Sequence, residues 1–181
     1  FTVNNCTFNN FNYGIRTYLS DHNTIANSTF LNNDNAAIYL YYGSDYNVIT
    51  RNNISSNDDY GIRLDGSSTT NRVMYNNITS NDFYSNVDYA IHADDYAENN
   101  LIWDNNFVSN IGGGIQAYSN DATNLFNVSS GGNYWDDFDS VGEGCNLVGG
   151  FCDSPYNVSG ALSFDYLPKT TLIIFGANNI P

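Results

Sequence analysis

The chain has 181 residues, which is enough for one domain with a sizeable core. Lys and Arg number 5 against 19 Asp and Glu, and the net charge of -14 excludes a phosphate-rich partner such as nucleic acid. Asn is the most frequent residue type, and a composition so poor in helix formers excludes a helical bundle.

Residues 1–130 repeat with a period of about 24 residues. Three apolar columns share this period: Ile15, Ile38, Ile62, Ile91 and Ile115; Val3, Ile25, Ile49, Val73, Ile102 and Phe126; Phe8, Phe30, Ile54, Ile78 and Phe107. One step is longer than the others in every column that spans it, which predicts a single insertion near Phe83 to Asp88. A fixed period of this length predicts a solenoid.

Each repeat contains three short β-rich pieces with Asn, Asp or Gly at their ends, as in the unit from Asn47 to Thr69. This content predicts an all-β fold, a right-handed parallel β-helix of about five coils with three short strands each. We expect coils over residues 1–130, an irregular C-terminal cap with an acidic Gly-rich loop over 131–168, and an apolar β-strand tail over 169–181.

Asn recurs at the predicted turns between strands. The two rows are Asn23, Asn47, Asn71, Asn100 and Asn124, and Asn10, Asn32, Asn57, Asn81 and Asn110. Asn tolerates left-handed backbone, and stacked amides bond to one another, so these rows predict hydrogen-bonded ladders. Possible glycosylation sequons begin at Asn5, Asn27, Asn53, Asn77, Asn127 and Asn157. About five are expected by chance from this composition, so their number does not indicate glycosylation.

The third strand of each coil should carry polar and aromatic side chains on its outer face. Arg16, Tyr39, Arg63 and Gln116 are predicted to point outward, followed two residues later by Tyr18, Tyr41, Asp65 and Tyr118. Exposed tyrosines beside polar groups can stack on sugars. The predicted glycan-binding face comprises Arg16, Tyr18, Tyr39, Tyr41, Arg63 and Tyr118. The alternative is that tyrosine simply suits a strand.

Candidate catalytic groups fall on the same face, because carbohydrate hydrolases need two converging carboxylates. Asp65 and Asp94 fall on neighbouring coils, and Arg16, Arg63 and His92 form a column that a polysaccharide lyase could use. A surface ion pair between Arg63 and Asp65 explains those residues equally well. We therefore expect no catalytic residues and no enzymatic activity.

Two of the three cysteines, Cys145 and Cys152, are close in sequence, and Cys6 stands alone. In an oxidising compartment the close pair is expected to form a disulfide that closes a Gly-rich loop. Two free thiols in a reducing cytosol are the alternative.

The C-terminal region carries a family resemblance. The stretches GGNYWDDF at 131–138, CDSPYNVSG at 152–160 and FDYLP at 164–168 resemble the ending of the NosD-like right-handed β-helix family, also called the carbohydrate-binding and sugar hydrolase family. The chain departs from the family pattern by placing the Cys145 to Cys152 segment inside the loop and by reading YLP where YPL is usual. The resemblance implies a β-helix at an extracellular or cell-surface location.

The resemblance also implies a metal site. Asp139, Glu143 and Asp153 fall on acidic positions of the family loop and could bind Ca²⁺, with Asp136 and Asp137 as additional ligands. Solvated acids on a loop are the alternative. Copper, which the family's founding description suggests, requires converging His, Met or Cys side chains. His22, His92, Met74 and the three cysteines are scattered, so copper is not expected.

Both ends of the predicted column favour association with other chains. Val3 and Phe8 enter the repeat with no preceding cap, and the tail residues Leu172, Ile173, Ile174 and Phe175 have the composition of a strand. Such a strand could pair with the open Val3 coil of another copy. An upstream segment that once covered Val3 is the rival explanation. This apolar run is far too short to span a membrane.

Three functions are therefore open. We expect an extracellular structural β-helix protein that assembles head to tail into a filament or forms part of a larger cell-surface protein. A carbohydrate-binding module is the second interpretation, and a polysaccharide lyase or glycoside hydrolase is the third.

Overall fold

A computed structural model describes residues 1–110, 114–160 and 163–175. These residues form an all-β solenoid of about five coils with parallel sheets, which confirms the predicted fold class. No helix in this part of the chain is long and apolar enough to cross a membrane. The last residues of the predicted tail, 176–181, lie outside the described residues.

Successive coils contribute strands to three sheets, here named A, B and C. Sheet A contains β1 (Thr2–Asn4), β4 (Thr24–Ala26), β7 (Val48–Thr50), β11 (Asn77–Thr79) and β15 (Leu101–Trp103). Sheet B contains β2 (Thr7–Asn9), β5 (Thr29–Leu31), β8 (Asn53–Ser55), β12 (Asp82–Tyr84), β16 (Asn106–Val108) and β18 (Tyr134–Trp135). Sheet C contains β3 (Tyr13–Tyr18), β6 (Ala36–Tyr41), β9 (Tyr60–Asp65), β13 (Ile91–Ala93), β17 (Ala117–Ser119), β21 (Tyr156–Gly160) and the antiparallel β22 (Ser163–Asp165).

Smaller elements complete the set. Two short pairs are β10 (Val73–Met74) with β14 (Ala97–Glu98), and β19 (Leu147–Val148) with β20 (Phe151–Cys152). A single turn of 3₁₀ helix covers Val141–Glu143 in the cap.

The core consists of apolar side chains that stack along the axis. The inward column of sheet B contains Phe8, Phe30, Ile54, Phe83, Phe107 and Trp135. The Phe107 and Trp135 rings lie 4.1 Å apart, and Trp135 continues the stack onto Tyr156 at 4.0 Å. Each ring therefore packs its faces against the coils above and below, because the spacing between strands of neighbouring coils suits stacked rings.

The predicted position of the insertion is wrong. Ile49 pairs with Ile78, which is the long step, whereas Val73 pairs with Ala97 at the ordinary repeat length. The extra residues therefore lie between Leu64 and Val73, where the chain forms a small loop closed by an antiparallel bridge between Ser68 and Asn71. The insertion has the same length as the sequence spacing between the sheet A and sheet B columns. An alignment of the coils that is wrong by one column therefore still matches apolar residues with apolar residues.

The predicted register of the last coil is also wrong. Ala117, not Ile115, pairs with Ile91. Gln116 was expected to point outward but is only 2% exposed. Its side-chain oxygen accepts hydrogen bonds from the backbone N and Nδ2 of Asn110, at 3.3 and 3.0 Å. Gln116 is held inside because it terminates a row of buried amides.

Three rows of buried side chains run along the axis where the coils turn. They are Asn23, Asn47, Asn76, Asn100 and Asn124; Ser28, Asn52, Asn81, Asn105 and Asn133; and Asn33, Asn57, Asn86, Asn110 and Gln116. Within a row, the backbone N and Nδ2 of one Asn both donate to the side-chain oxygen in the next coil, as from Asn47 to Asn76 at 2.8 and 3.0 Å. The amide ladders exist, but the first predicted row uses Asn76 rather than Asn71. The second predicted row uses Asn33 rather than Asn10 or Asn32, and Asn86 rather than Asn81, which belongs to the Asn52 row.

The left-handed residues are not the ladder amides themselves. The residue directly before the ladder position has positive φ, including His22, Tyr46, Arg51 and Tyr75 at 55 to 57°. This places bulky side chains in a conformation that is costly for any residue with a Cβ. The ladder amide that directly follows each of these residues is buried and hydrogen-bonded to the next coil, as from Asn47 to Asn76. These hydrogen bonds hold the turn in place, which explains how a left-handed residue is tolerated before it.

Residues after Phe126 close the C-terminal end of the column. Cys145 and Cys152 are joined by a disulfide with Cα atoms 4.8 Å apart, and Cys6 is free and exposed. Asp165 is fully buried and accepts hydrogen bonds from the backbone N of Asn133 at 2.6 Å and from Trp135 Nε1 at 3.0 Å. It thereby supplies the acceptor that the second amide row requires at its end.

The segment Leu172–Phe175 is not a strand, which corrects the prediction for the tail. The edge of β18 is already taken by Lys169, which bridges to Tyr134 in parallel. The tail instead crosses the outer face of sheet B. There Ile173 donates its backbone N to Asn106 Oδ1 at 2.8 Å and accepts from Asn106 Nδ2 at 2.9 Å.

Candidate functional sites

The predicted glycan-binding residues lie on the outer face of sheet C. Register places Arg16, Tyr39, Arg63, His92 and Tyr118 in one column. Tyr18, Tyr41 and Asp65 form the next column. We call the set Arg16, Tyr18, Tyr39, Tyr41, Arg63 and Tyr118 the tyrosine–arginine face. Tyr118 is separated from the other members by His92.

The rings of this face are largely occupied by their neighbours. The Arg16 guanidinium lies 5.2 Å from the Tyr39 ring centre and 5.0 Å from that of Tyr41, while Arg63 lies 5.1 Å from Tyr39 on the other side. Tyr39 is only 5% exposed, whereas Tyr18 is 56% exposed. Tyr18 and Arg16 are therefore the members most open to a ligand.

Electrostatic contacts on the same face neutralise the candidate catalytic carboxylates. Arg63 Nη2 lies 3.1 Å from Asp65 Oδ2 and 3.7 Å from Asp94 Oδ2. Tyr39 donates its hydroxyl to Asp65 at 2.8 Å, and burial together with this bond raises the pKa of Tyr39. Burial lowers the pKa of His92, whose ring stacks on Tyr118 at 4.8 Å. These contacts favour the ion-pair explanation of Arg63 and Asp65.

The three predicted calcium ligands do not come together. Glu143 accepts hydrogen bonds from Ser140 Oγ at 2.8 Å and from the Asp139 backbone N at 3.1 Å, which lowers its pKa. Asp153 accepts from Asn146 Nδ2 at 3.0 Å. Within the described ranges, no group of three or more His, Cys, Asp or Glu side chains could hold a metal ion. Calcium binding therefore remains a prediction, and no cluster of ligands among the described residues supports it.

An open pocket of about 480 Å³ lies at the C-terminal cap and was not predicted. Asp136 and Asp137 each accept a hydrogen bond from Gln116 Nε2, at 2.7 and 2.8 Å, and Glu143 lines the same pocket. Desolvation of the Asp137 carboxyl group raises its pKa, and Tyr156 donates its hydroxyl to it at 3.2 Å. Sequence reasoning offered Asp136 and Asp137 only as extra metal ligands, because it assigned Gln116 to the wrong face.

The sequon asparagines differ in exposure. Asn5, Asn27 and Asn157 are exposed, whereas Asn53, Asn77 and Asn127 are half-buried. Asn77 accepts a hydrogen bond from Trp103 Nε1 at 3.1 Å, and Asn127 accepts one from the Tyr166 backbone N at 3.1 Å. Glycosylation would modify the side-chain nitrogen and leave these oxygen contacts in place, so exposure alone makes Asn5, Asn27 and Asn157 the more accessible acceptors.

The assembly residues of the first coil lie at the open end of the column. Val3 and Phe8 are half-buried and pack against the core. They belong to β1 and β2, which are the terminal strands of sheets A and B. Leu172 and Ile174 are 45% and 85% exposed.

Comparison with known proteins identifies one family. The family model described as "Periplasmic copper-binding protein (NosD)" matches residues 1–140. No curated protein and no solved structure matches the chain.

The residues present do not fit the copper in that description. Copper sites use converging His, Cys and Met ligands. Cys145 and Cys152 form the disulfide, and Cys6 lies in the first coil. His22 stacks on Tyr46 at a turn, His92 lies on sheet C, and Met74 lies in β10. In the part of the chain that the structure describes, no group of three His, Cys, Asp or Glu side chains converges on one point.

The family match covers all the coils and extends into the cap as far as residue 140. It includes the GGNYWDDF stretch, whose Trp135 continues the aromatic stack of sheet B. The chain therefore belongs to the NosD family of parallel β-helix proteins.

Proposed function

We propose that this chain is a structural β-helix protein of the extracytoplasmic surface. Its column continues beyond the first coil, either into a second copy arranged head to tail or into adjoining coils of a larger surface protein. Buried amide ladders and stacked rings make every coil a template for the next, as in other one-dimensional repeat proteins.

The open edges of the first coil carry this proposal. β1, β2 and β3 are the terminal strands of the three sheets. Natural sheets protect such edges with charged side chains or proline. β1 and β2 contain neither, and Arg16 in β3 is the one charged side chain of the three strands, although the whole chain has a net charge of -14. This end is therefore suited to pairing with further β-structure.

Two observations support a location outside the cytoplasm. The disulfide between Cys145 and Cys152 fits an oxidising compartment. The printed description of the matching family is periplasmic.

Light scattering of the purified chain over a range of concentrations tests the proposal. We expect the average mass to rise continuously with concentration, because a heterologous contact between different ends does not close on itself. A constant mass of 20.1 kDa at every concentration would exclude self-assembly and leave only adjoining coils. Fusing additional coils in front of the first coil would then test whether the column continues within a larger protein.

A carbohydrate-binding module is the second candidate, favoured by Arg16 and Tyr18 lying exposed side by side on the tyrosine–arginine face. An exposed ring beside a guanidinium offers stacking and hydrogen bonds to a sugar. Titration with oligosaccharides at millimolar concentration should perturb the NMR signals of Tyr18 in preference to the buried Tyr39. Uniformly unchanged signals would exclude this role. We propose no catalytic role for Asp65 and Asp94.

A further inference from the structure

Sheet B extends beyond β18 at the C-terminal cap. Lys169 bridges in parallel to Tyr134 and in antiparallel to Phe151. Its backbone N donates to Asn133 O at 2.7 Å, and its side chain forms an ion pair with Asp104. Through Lys169 the hairpin of β19 and β20 becomes the outermost part of sheet B.

The outer strand of this hairpin is apolar and exposed. In β19, Leu147 and Val148 are 69% and 62% exposed, and their one strand partner among the described residues is β20. Gly149 and Gly150, with φ of 62 and 93°, form the two-residue turn that hairpins of this type require. The disulfide links the base of the hairpin, since Cys152 pairs directly with Leu147.

Exposed aliphatic and phenylalanine side chains concentrate at the two ends of the column. Phe1, Phe11 and Leu19 lie in or directly after the first coil, and Val141, Leu147 and Val148 lie in the cap. The sides of the column expose mainly tyrosine among the large apolar residues, with Val87, Leu125 and the tail residues Leu172 and Ile174 as the exceptions. Apolar surface at both ends of an acidic protein indicates contact surfaces.

Charge determines which ends can meet. The cap contains Asp136, Asp137, Asp139, Glu143 and Asp153. Two caps brought together would place these like charges side by side, which is unfavourable. The first coil has no charged side chain in residues 1–15, so a cap can approach it without that repulsion.

We propose that β19 is the docking edge for the first coil of a second copy, and that β2 is the strand it pairs with. Sheet B then continues from one subunit to the next. The inference rests on the proposed function and names its surface. It replaces the tail as the joining element, because Asn106 of the same chain already holds Ile173.

Two variants that each block one end test the proposal. Leu147→Glu with Val148→Glu charges the β19 edge, and Thr7→Glu with Asn9→Glu charges the β2 edge. All four side chains are exposed, so circular dichroism should be unchanged. Val87→Glu, at a 51% exposed position on the side of the column, is the matched control.

Light scattering of each variant and of their mixture gives the result. Each blocked variant alone should remain a monomer, their equimolar mixture should form a dimer that grows no further, and the control should assemble like the wild type. If the wild type assembles and the β19 variant assembles equally well, the docking edge is wrong while the proposed function survives. If the wild type stays monomeric, self-assembly fails and the docking edge fails with it. A closed wild-type dimer that the β19 changes do not affect would indicate head-to-head pairing and overturn the proposal.

Discussion

Replacing Asn81 with Ala measures how far the amide ladders hold the coils together. Asn81 is fully buried, and its side-chain oxygen accepts from the backbone N and Nδ2 of Asn52, both at 3.0 Å. Its own Nδ2 donates to Asn105 Oδ1 at 3.1 Å and to Ile49 O at 2.9 Å. The substitution leaves two buried donors of Asn52 without this acceptor.

Each buried donor left unsatisfied costs about 1–3 kcal/mol, so two predict a loss of about 2–6 kcal/mol. In a chain of this size each kcal/mol lowers Tm by roughly 2–4 °C. Thermal and guanidinium unfolding followed by circular dichroism should show this loss. The exposed Asn157→Ala is the control and should change stability by less than about 0.5 kcal/mol. If Asn81→Ala loses no more than the control, the ladders do not stabilise the fold.

Three further predictions come from single features. Burial raises the pKa of Asp165 from 3.8 to about 6, so the folded chain keeps a proton that the unfolded chain releases, and the free energy of unfolding should fall by about 3 kcal/mol between about pH 3 and 7. The Asp165→Asn variant should lack this part of the pH slope; an unchanged slope would contradict the assignment. Reducing the Cys145–Cys152 disulfide should lower stability by roughly 2.5 kcal/mol, measured by unfolding with and without reductant, and equal midpoints would refute this value. Calorimetric titration with Cu⁺ or Cu²⁺ should show no saturable site, whereas stoichiometric binding would contradict the scattered donors of the described residues.

The repeat made the fold predictable, and the same regularity produced the errors. Three apolar columns that share one period predict three stacked sheets, and Ile25, Ile49 and Ile102 lie together in sheet A as expected. Val73 and Ile78 were assigned to the wrong columns because the insertion has the same length as the offset between columns. Only backbone hydrogen bonds distinguish these two registers.

The candidate sites were less predictable, because they depend on which face a residue occupies. Arg16, Tyr18 and Tyr39 follow the strand alternation and lie together as expected. Gln116 does not, since its amide must accept the hydrogens of Asn110 at the end of a row. The acidic pocket that it forms with Asp136 and Asp137 therefore could not be found from periodicity.

X-ray fibre diffraction of the assembled chain tests whether sheet B runs on from one subunit into the next. If sheet B continues from β19 of one copy to β2 of the next, the strands lie across the filament and the reflection at about 4.8 Å falls on the meridian. A continuous sheet B predicts this reflection from oriented wild-type filaments and its absence from preparations of the Leu147→Glu, Val148→Glu variant. Filaments whose reflection at about 4.8 Å lies on the equator, or wild-type preparations that contain only single particles, would contradict it.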